Sequence, residues 1–162
     1  MDNKTLLSML FLSISNIMMD EYTRSFHRIF QEIRHESGYE IPEEVETYVV
    51  MLLSNYVDKP DFLPETSFAA EFSKLDKFSS LSAKQLGDTC LFLSGLFPLY
   101  GRKYGLNKTY YKDIGKSSYD LASKLLNEQL FSVLAWQFDF IASYIHLATK
   151  PNILPRIIIR NY

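Results

Sequence analysis

A chain of 162 residues with a formal net charge of −2 carries no global field that draws nucleic acid or an anionic membrane. Its composition, 47% hydrophobic and 15% aromatic, is that of a folded domain and excludes a disordered segment. At this length about 70% of the unfolded surface is buried on folding, so neither a disulfide nor a structural metal is required. A single cysteine excludes an internal disulfide and suits a reducing compartment.

The N-terminal run "LLSMLFLSI" has the length of a signal-peptide core, with Ser13 and Ser15 placed to flank a cleavage site. Asp2 offsets the charge of Lys4, and the run is too short and too interrupted by Ser and Asn to span a bilayer. A first core helix in a cytoplasmic protein is therefore expected rather than secretion by a cleaved signal.

From Thr5 to Ser37 there is neither Gly nor Pro, and the apolar spacing is helical. Leu6, Leu7, Leu10, Phe11, Ile14, Ile17 and Met18 mark one face; Tyr22, Phe26, Ile29, Phe30 and Ile33 mark another. A helix of that length overhangs a small domain, which predicts a bend or break near Asp20. Gly38 supplies a stop. Pro42 then enters a first turn with Glu43, Glu44 and Glu46, where carboxylates suit the positive end of the helix dipole. Val45, Tyr48, Val49, Leu52, Leu53 and Tyr56 form that helix's buried stripe.

Pro60 and Pro64 bracket a loop, and Thr66 or Ser67 can cap a short helix with Phe68, Ala69, Phe72 and Leu75 as its apolar positions. "LSAKQL" places Ser82 three residues before Gln85, the spacing of a capping box, with Leu81 and Leu86 spaced as a hydrophobic staple. A helix from Ser82 to Pro98 follows, then a connection "YGRKYGLN". Further helices are predicted over Thr109–Leu126 and Glu128–Ala148, the last apolar nearly all round and so expected at the centre. Lys150-Pro151 ends it, and "PNILPRIIIRNY" reads as an extended arm. The fold class is all-α: a single-domain bundle of about six or seven helices over residues 1–148, with a C-terminal arm over 149–162.

The segment "LGDTCLFLSGLFP" raises the question of a site. Glycine inside a helix costs about 1 kcal/mol relative to alanine, so Gly87 and Gly95 imply close approach of another helix backbone, with Gly115 as counterpart. Asp88 falls in the first turn of the predicted helix, and Cys90 on an apolar face reads as a small hydrophobe. Gly115-Lys116-Ser117 ends like a phosphate-binding loop but lacks the earlier glycine and the strand. Glu32 and His35 form one E-x-x-H, whereas a di-iron bundle needs two such pairs and two further glutamates. No metal or cofactor is expected.

Asp139, Ser143 and His146 align on one face of the predicted last helix, yet a mid-helix serine is not an exposed nucleophile and no oxyanion donors are evident. Together with Asp88, Cys90 and Tyr111 they make up the candidate lining of a ligand pocket between residues 86–97, 109–126 and 128–148, with Trp136 nearby. Charge is unevenly distributed. Residues 31–65 hold nine carboxylates against Arg34 and Lys59, and residues 100–116 interleave cations with tyrosines. Tyr100, Arg102, Lys103, Tyr104, Lys108, Tyr110 and Lys112 are the candidates for a basic, aromatic patch.

Leu86-Gly87-Asp88-Thr89, Leu91-Phe92, Gly95 and Phe97-Pro98, followed by Tyr110-Tyr111, Gly115 and Tyr119, resemble a pattern in an uncharacterised family of bacterial helical proteins. "YVVMLLSNYV" is similar to the same family's preceding helix, so the resemblance spans roughly residues 45–125. It implies a bacterial, cytoplasmic protein and brings no activity or catalytic residue with it.

No catalytic or metal constellation is complete in the sequence. The expected function is a non-catalytic helical binding or adaptor protein whose partner is another protein or a second copy of the chain. An enzyme or small-ligand carrier using the pocket above is the second reading. A weak nucleic-acid or anion binder through residues 100–116 is the third.

Overall fold

The computed structural model describes residues 3–57, 67–74 and 79–149, with the side chains of 3–8 and 10–20 outside that description. Among the described residues the chain is all-α, with seven α-helices and no strand: α1 Asn3–Ser37, α2 Glu43–Tyr56, α3 Phe68–Lys74, α4 Ser80–Leu96, α5 Tyr110–Leu126, α6 Gln129–Trp136 and α7 Phe138–Ala148. A 3-10 turn, Tyr100–Tyr104, lies between α4 and α5 where the sequence reads only as a connection. The loop with Pro60 and Pro64, the core position Leu75 and the arm 150–162 lie outside the described residues, as does the apolar face Leu6–Met18. Among the described residues no single helix is long and apolar enough to cross a membrane.

α1 runs as one helix through Asp20, without the predicted break. Nothing in its sequence removes a backbone donor or favours a left-handed residue before Gly38, so the hydrogen-bond ladder continues. There Gly38 takes φ 68° and its N–H reaches the carbonyl of Arg34 at 3.0 Å, a glycine stop after the helix. The face Phe26, Ile29, Phe30 and Ile33 is buried as the spacing predicts. α2 begins one residue later than read, with Pro42 at the cap and the carboxylates of Glu43, Glu44 and Glu46 in the first turn. Val45, Val49, Leu52 and Leu53 point inward as expected. In α3, Ser67 caps the helix by accepting a hydrogen bond from Ala70 N–H at 3.2 Å.

α4 starts at Ser80, not Ser82. Ser79 Oγ donates to Ser82 Oγ at 2.6 Å, so Ser82 is a first-turn residue rather than a cap, and Leu81 is exposed, leaving no staple. α4 is also the central element, in the place expected of the last helix. Eleven of its seventeen residues are buried, and it packs against α2, α3, α5 and α7.

The last predicted helix is two helices, α6 and α7, bent by 75° at Gln137. No Pro or Gly sits there, so tertiary packing makes the bend. Phe131 and Leu134 on α6, and Phe138, Ile141, Ala142 and Ile145 on α7, are all buried. A continuous rod would leave one of those two sets in solvent. At the preceding corner Asn127 adopts a left-handed conformation, φ 53°, which its short polar side chain tolerates.

Candidate functional site

Gly87 and Gly95 of the segment LGDTCLFLSGLFP, and Gly115 of α5, do make room, but for side chains rather than for a neighbouring backbone. A Cβ on Gly87 would lie 2.6 Å from the Tyr119 ring, and one on Gly95 would lie 2.6 Å from Ile145. A Cβ on Gly115 would lie 2.5 Å from the Phe138 ring and 2.8 Å from the Cys90 Cβ. Each glycine is thus a notch that receives a large side chain from another helix, which brings α4, α5 and α7 into close contact. The volume in which the sequence suggests a ligand pocket is filled by Tyr119, Phe138 and Ile145.

The Tyr119 ring that occupies the Gly87 notch carries its hydroxyl to Asp88. Because α4 starts at Ser80, Asp88 lies more than two turns inside the helix and gains nothing from its N-terminal dipole. Its side chain is buried, 4% exposed. Tyr119 donates to Asp88 Oδ1 at 2.8 Å and Tyr48 of α2 donates to the same oxygen at 2.6 Å. Lys84 donates to Oδ2 at 2.7 Å. Burial pushes the Asp88 carboxyl above its ordinary value, against the opposing pull of Lys84 and of the two phenol hydroxyls. The tyrosines are driven up in turn, chiefly by burial and then by the neighbouring carboxylate. Both phenols therefore stay protonated and act as donors. At the residue after Asp88, Tyr56 and Thr89 hydroxyls meet at 3.4 Å. The cluster joins α2, α4 and α5, and Asp88 accepts hydrogen bonds on both oxygens, two on Oδ1 and one on Oδ2.

The remaining pocket candidates do not converge on it. Cys90 is fully buried against Gly115, and burial drives its thiol well above the ordinary range, so it forms no thiolate. Tyr111 is buried between Phe68, Tyr100 and Tyr110, with its hydroxyl pushed up to about 12 by burial. Asp139 is exposed and pairs with Lys112 at 3.0 Å and with Lys116. Its carboxyl is held below the ordinary value, first by the hydrogen bond from Lys116. Ser143 donates to the Asp139 carbonyl at 2.8 Å, a helix-internal bond, and His146 Nδ1 lies 3.3 Å from the Gly95 carbonyl. Asp139, Ser143 and His146 do share one face of α7, but their functional groups address three different partners. The Gly115-Lys116-Ser117 match lies inside α5, with Ser117 bonded to the Asp113 carbonyl.

The basic, aromatic segment divides into two parts. Lys112 is neutralised by Asp139, and Tyr110 Oη accepts a hydrogen bond from Ala69 N–H at 3.1 Å, fastening α3. Tyr100, Arg102, Lys103, Tyr104 and Lys108 belong to the 3-10 turn and its exit. The Lys103 ammonium sits 4.3 Å from the Tyr100 ring centre and 5.0 Å from that of Tyr104. The exit is set by Gly105, φ 70°.

Two features escape a reading of the sequence. Glu46, read as a dipole-facing carboxylate, is buried and ion-paired with Arg34, with His27 Nδ1 at 3.9 Å from its other oxygen. These groups line a cleft of about 460 Å³ with Gln31, Glu40, Ile41 and Glu43. Arg34 is one of two cations among the nine carboxylates of residues 31–65, and that was the available signal. The second is Trp136. It does not line an interior pocket; it ends α6 at the bend, 82% exposed. No family model, curated protein or solved structure matches the chain.

Proposed function

We propose that this is a non-catalytic helical binding protein that engages another protein chain, in the first instance a second copy of itself, through the α6–α7 corner. The observation that carries this reading is Trp136, the chain's sole tryptophan, 82% exposed on a bend whose flanks are fixed by buried Phe131, Leu134 and Phe138. A solvent-facing tryptophan offers large contact area at little cost in conformational entropy, which is why tryptophan is enriched at binding hot spots. Phe140 is also exposed, and Tyr39 stands edge-on to it with ring centres 6.0 Å apart. A reducing, cytoplasmic setting is part of the proposal and is supported by the lone, buried Cys90.

Because Trp136 is the sole tryptophan, its emission reports on this corner alone. Light scattering and acrylamide quenching across a concentration series test the proposal. The expected result is a rise to dimer mass accompanied by a blue shift and protection of Trp136, both lost in Trp136→Ala. A constant monomer mass with Trp136 fully quenched at every concentration would remove the second copy as the partner.

A further inference from the structure

The 3-10 turn between α4 and α5 presents a surface of different character from the α6–α7 corner. Leu99 is 56% exposed and Tyr104 59% exposed. Arg102, Lys103 and Lys108 are exposed beside them, and among the described residues none of the three has a carboxylate partner. Farther along the same segment, Lys112 and Lys116 are both occupied by Asp139. The turn is held rigidly from below. Gly101 is buried where a Cβ would lie 3.1 Å from Leu106 and 3.1 Å from Tyr111, and Tyr100 packs on Tyr111. Burying Gly101 and half-burying Tyr100 in this way directs the cationic and apolar side chains outward.

We infer that this turn docks on an anionic phospholipid surface, with Leu99 and Tyr104 entering the headgroup boundary and Arg102, Lys103 and Lys108 meeting the phosphates. Four observations select that occupant. An exposed leucine gains from hydrocarbon and gains nothing from a nucleic-acid backbone. The Lys103 ammonium lies over both tyrosine rings, where a stacked base would have to sit. The residues form one short turn, 99–108, and a bilayer, unlike a stable protein interface of ~800 Å² per partner, demands no shape match. The amphipathic tyrosine and the cations follow the pattern of side chains that settle at membrane interfaces. With a net charge of −2 on the chain as a whole, attachment is local, reversible and salt-sensitive.

The test is co-sedimentation of the full chain with vesicles of phosphatidylglycerol mixed with phosphatidylcholine, at low and raised salt, beside vesicles of phosphatidylcholine alone and a single-stranded oligonucleotide. Binding is expected only to the anionic vesicles, and is expected to weaken with salt. R102Q/K103Q/K108Q should bind on the order of 100-fold more weakly, since each cation near the surface contributes about fivefold. Leu99→Ser should weaken vesicle binding while leaving its salt dependence in place. All these positions are exposed, and an unchanged thermal melt confirms that the variants are folded. Trp136 emission should not shift on adding vesicles, which separates this surface from the one proposed for a protein partner. The inference is overturned by no binding to anionic vesicles, by equal binding to neutral ones, by loss of nothing in the triple variant, by a Trp136 blue shift on vesicles, or by oligonucleotide binding that Leu99→Ser leaves intact.

Discussion

A methyl group at position 115 would sit 2.5 Å from the Phe138 ring and 2.8 Å from the Cys90 Cβ, closer than any unstrained contact. Neither neighbour has room to yield, since both are fully buried. Gly115→Ala should therefore destabilise the fold by about 1–3 kcal/mol, the usual cost of overpacking a filled core, even though alanine is the better helix former. Denaturant midpoints measure this, and a stabilised variant would show that the notch is looser than the structure has it. Asp88 makes a prediction with a definite sign. Its folded carboxyl is raised by burial, so its contribution to stability is full at low pH and is lost as pH rises through the folded value. Asp88→Asn keeps an oxygen for the two tyrosine hydroxyls but cannot ionise. Relative to this variant, the wild type should lose stability as pH climbs from about 4. Parallel pH profiles for the two proteins would contradict the assignment. Asp139, held below its ordinary value, acts in the opposite sense, losing its contribution as pH falls. Its exposure keeps that effect small.

Helix α2 is fastened to the rest of the bundle at its aromatic positions. Tyr48 reaches Asp88 and stands edge-on to Phe131, while Tyr56 reaches Thr89 and stacks on Phe92. α1 is tied in by Tyr144, whose hydroxyl donates to the Phe30 carbonyl at 3.1 Å, and by the Arg34–Glu46 pair with α2. Tyr48→Phe keeps the ring and removes one donor from a buried carboxylate, at a cost of about 1–3 kcal/mol. Amide exchange should accelerate first in α2 if this hydroxyl anchors the helix, as the geometry requires. Uniform acceleration across α4 and α5 would instead mean that Tyr48 contributes only to global stability. The elements most readable from the sequence are those governed by local rules. Gly38 and Pro42 bound helices close to where their backbone preferences place them, and the 3.6-residue period of α2 predicts its inward face. The α6–α7 bend was not readable, because no local residue encodes it. It exists because Phe131 and Phe138 must both reach the core, a requirement visible only once the other helices are in place.

For the bundle taken together, composition and period were enough to give an all-α fold, while the ranking of elements was not. An all-round apolar run fits either a central rod or a bent pair, and α4 rather than the last helix took the centre because three glycine notches let its neighbours close on it. Of the candidate site only Asp88 proved to be part of a polar cluster. What assembles around it is Tyr48, Lys84 and Tyr119, contributed in part from positions 40 residues earlier and 31 residues later. The segment 86–119 is on this account a closed core around a tied-off carboxylate, with recognition left to the outer surface at Trp136 and at the turn 99–108. Cys90, buried at the centre of that core and the chain's sole cysteine, reports on it directly through its rate of thiol labelling. If the core is closed, labelling in native buffer proceeds only through global opening, and its dependence on denaturant has the full slope of the unfolding transition. Rapid, denaturant-independent labelling of the native protein would mean that the thiol opens onto solvent and that a substrate-sized hollow lies where these helices meet.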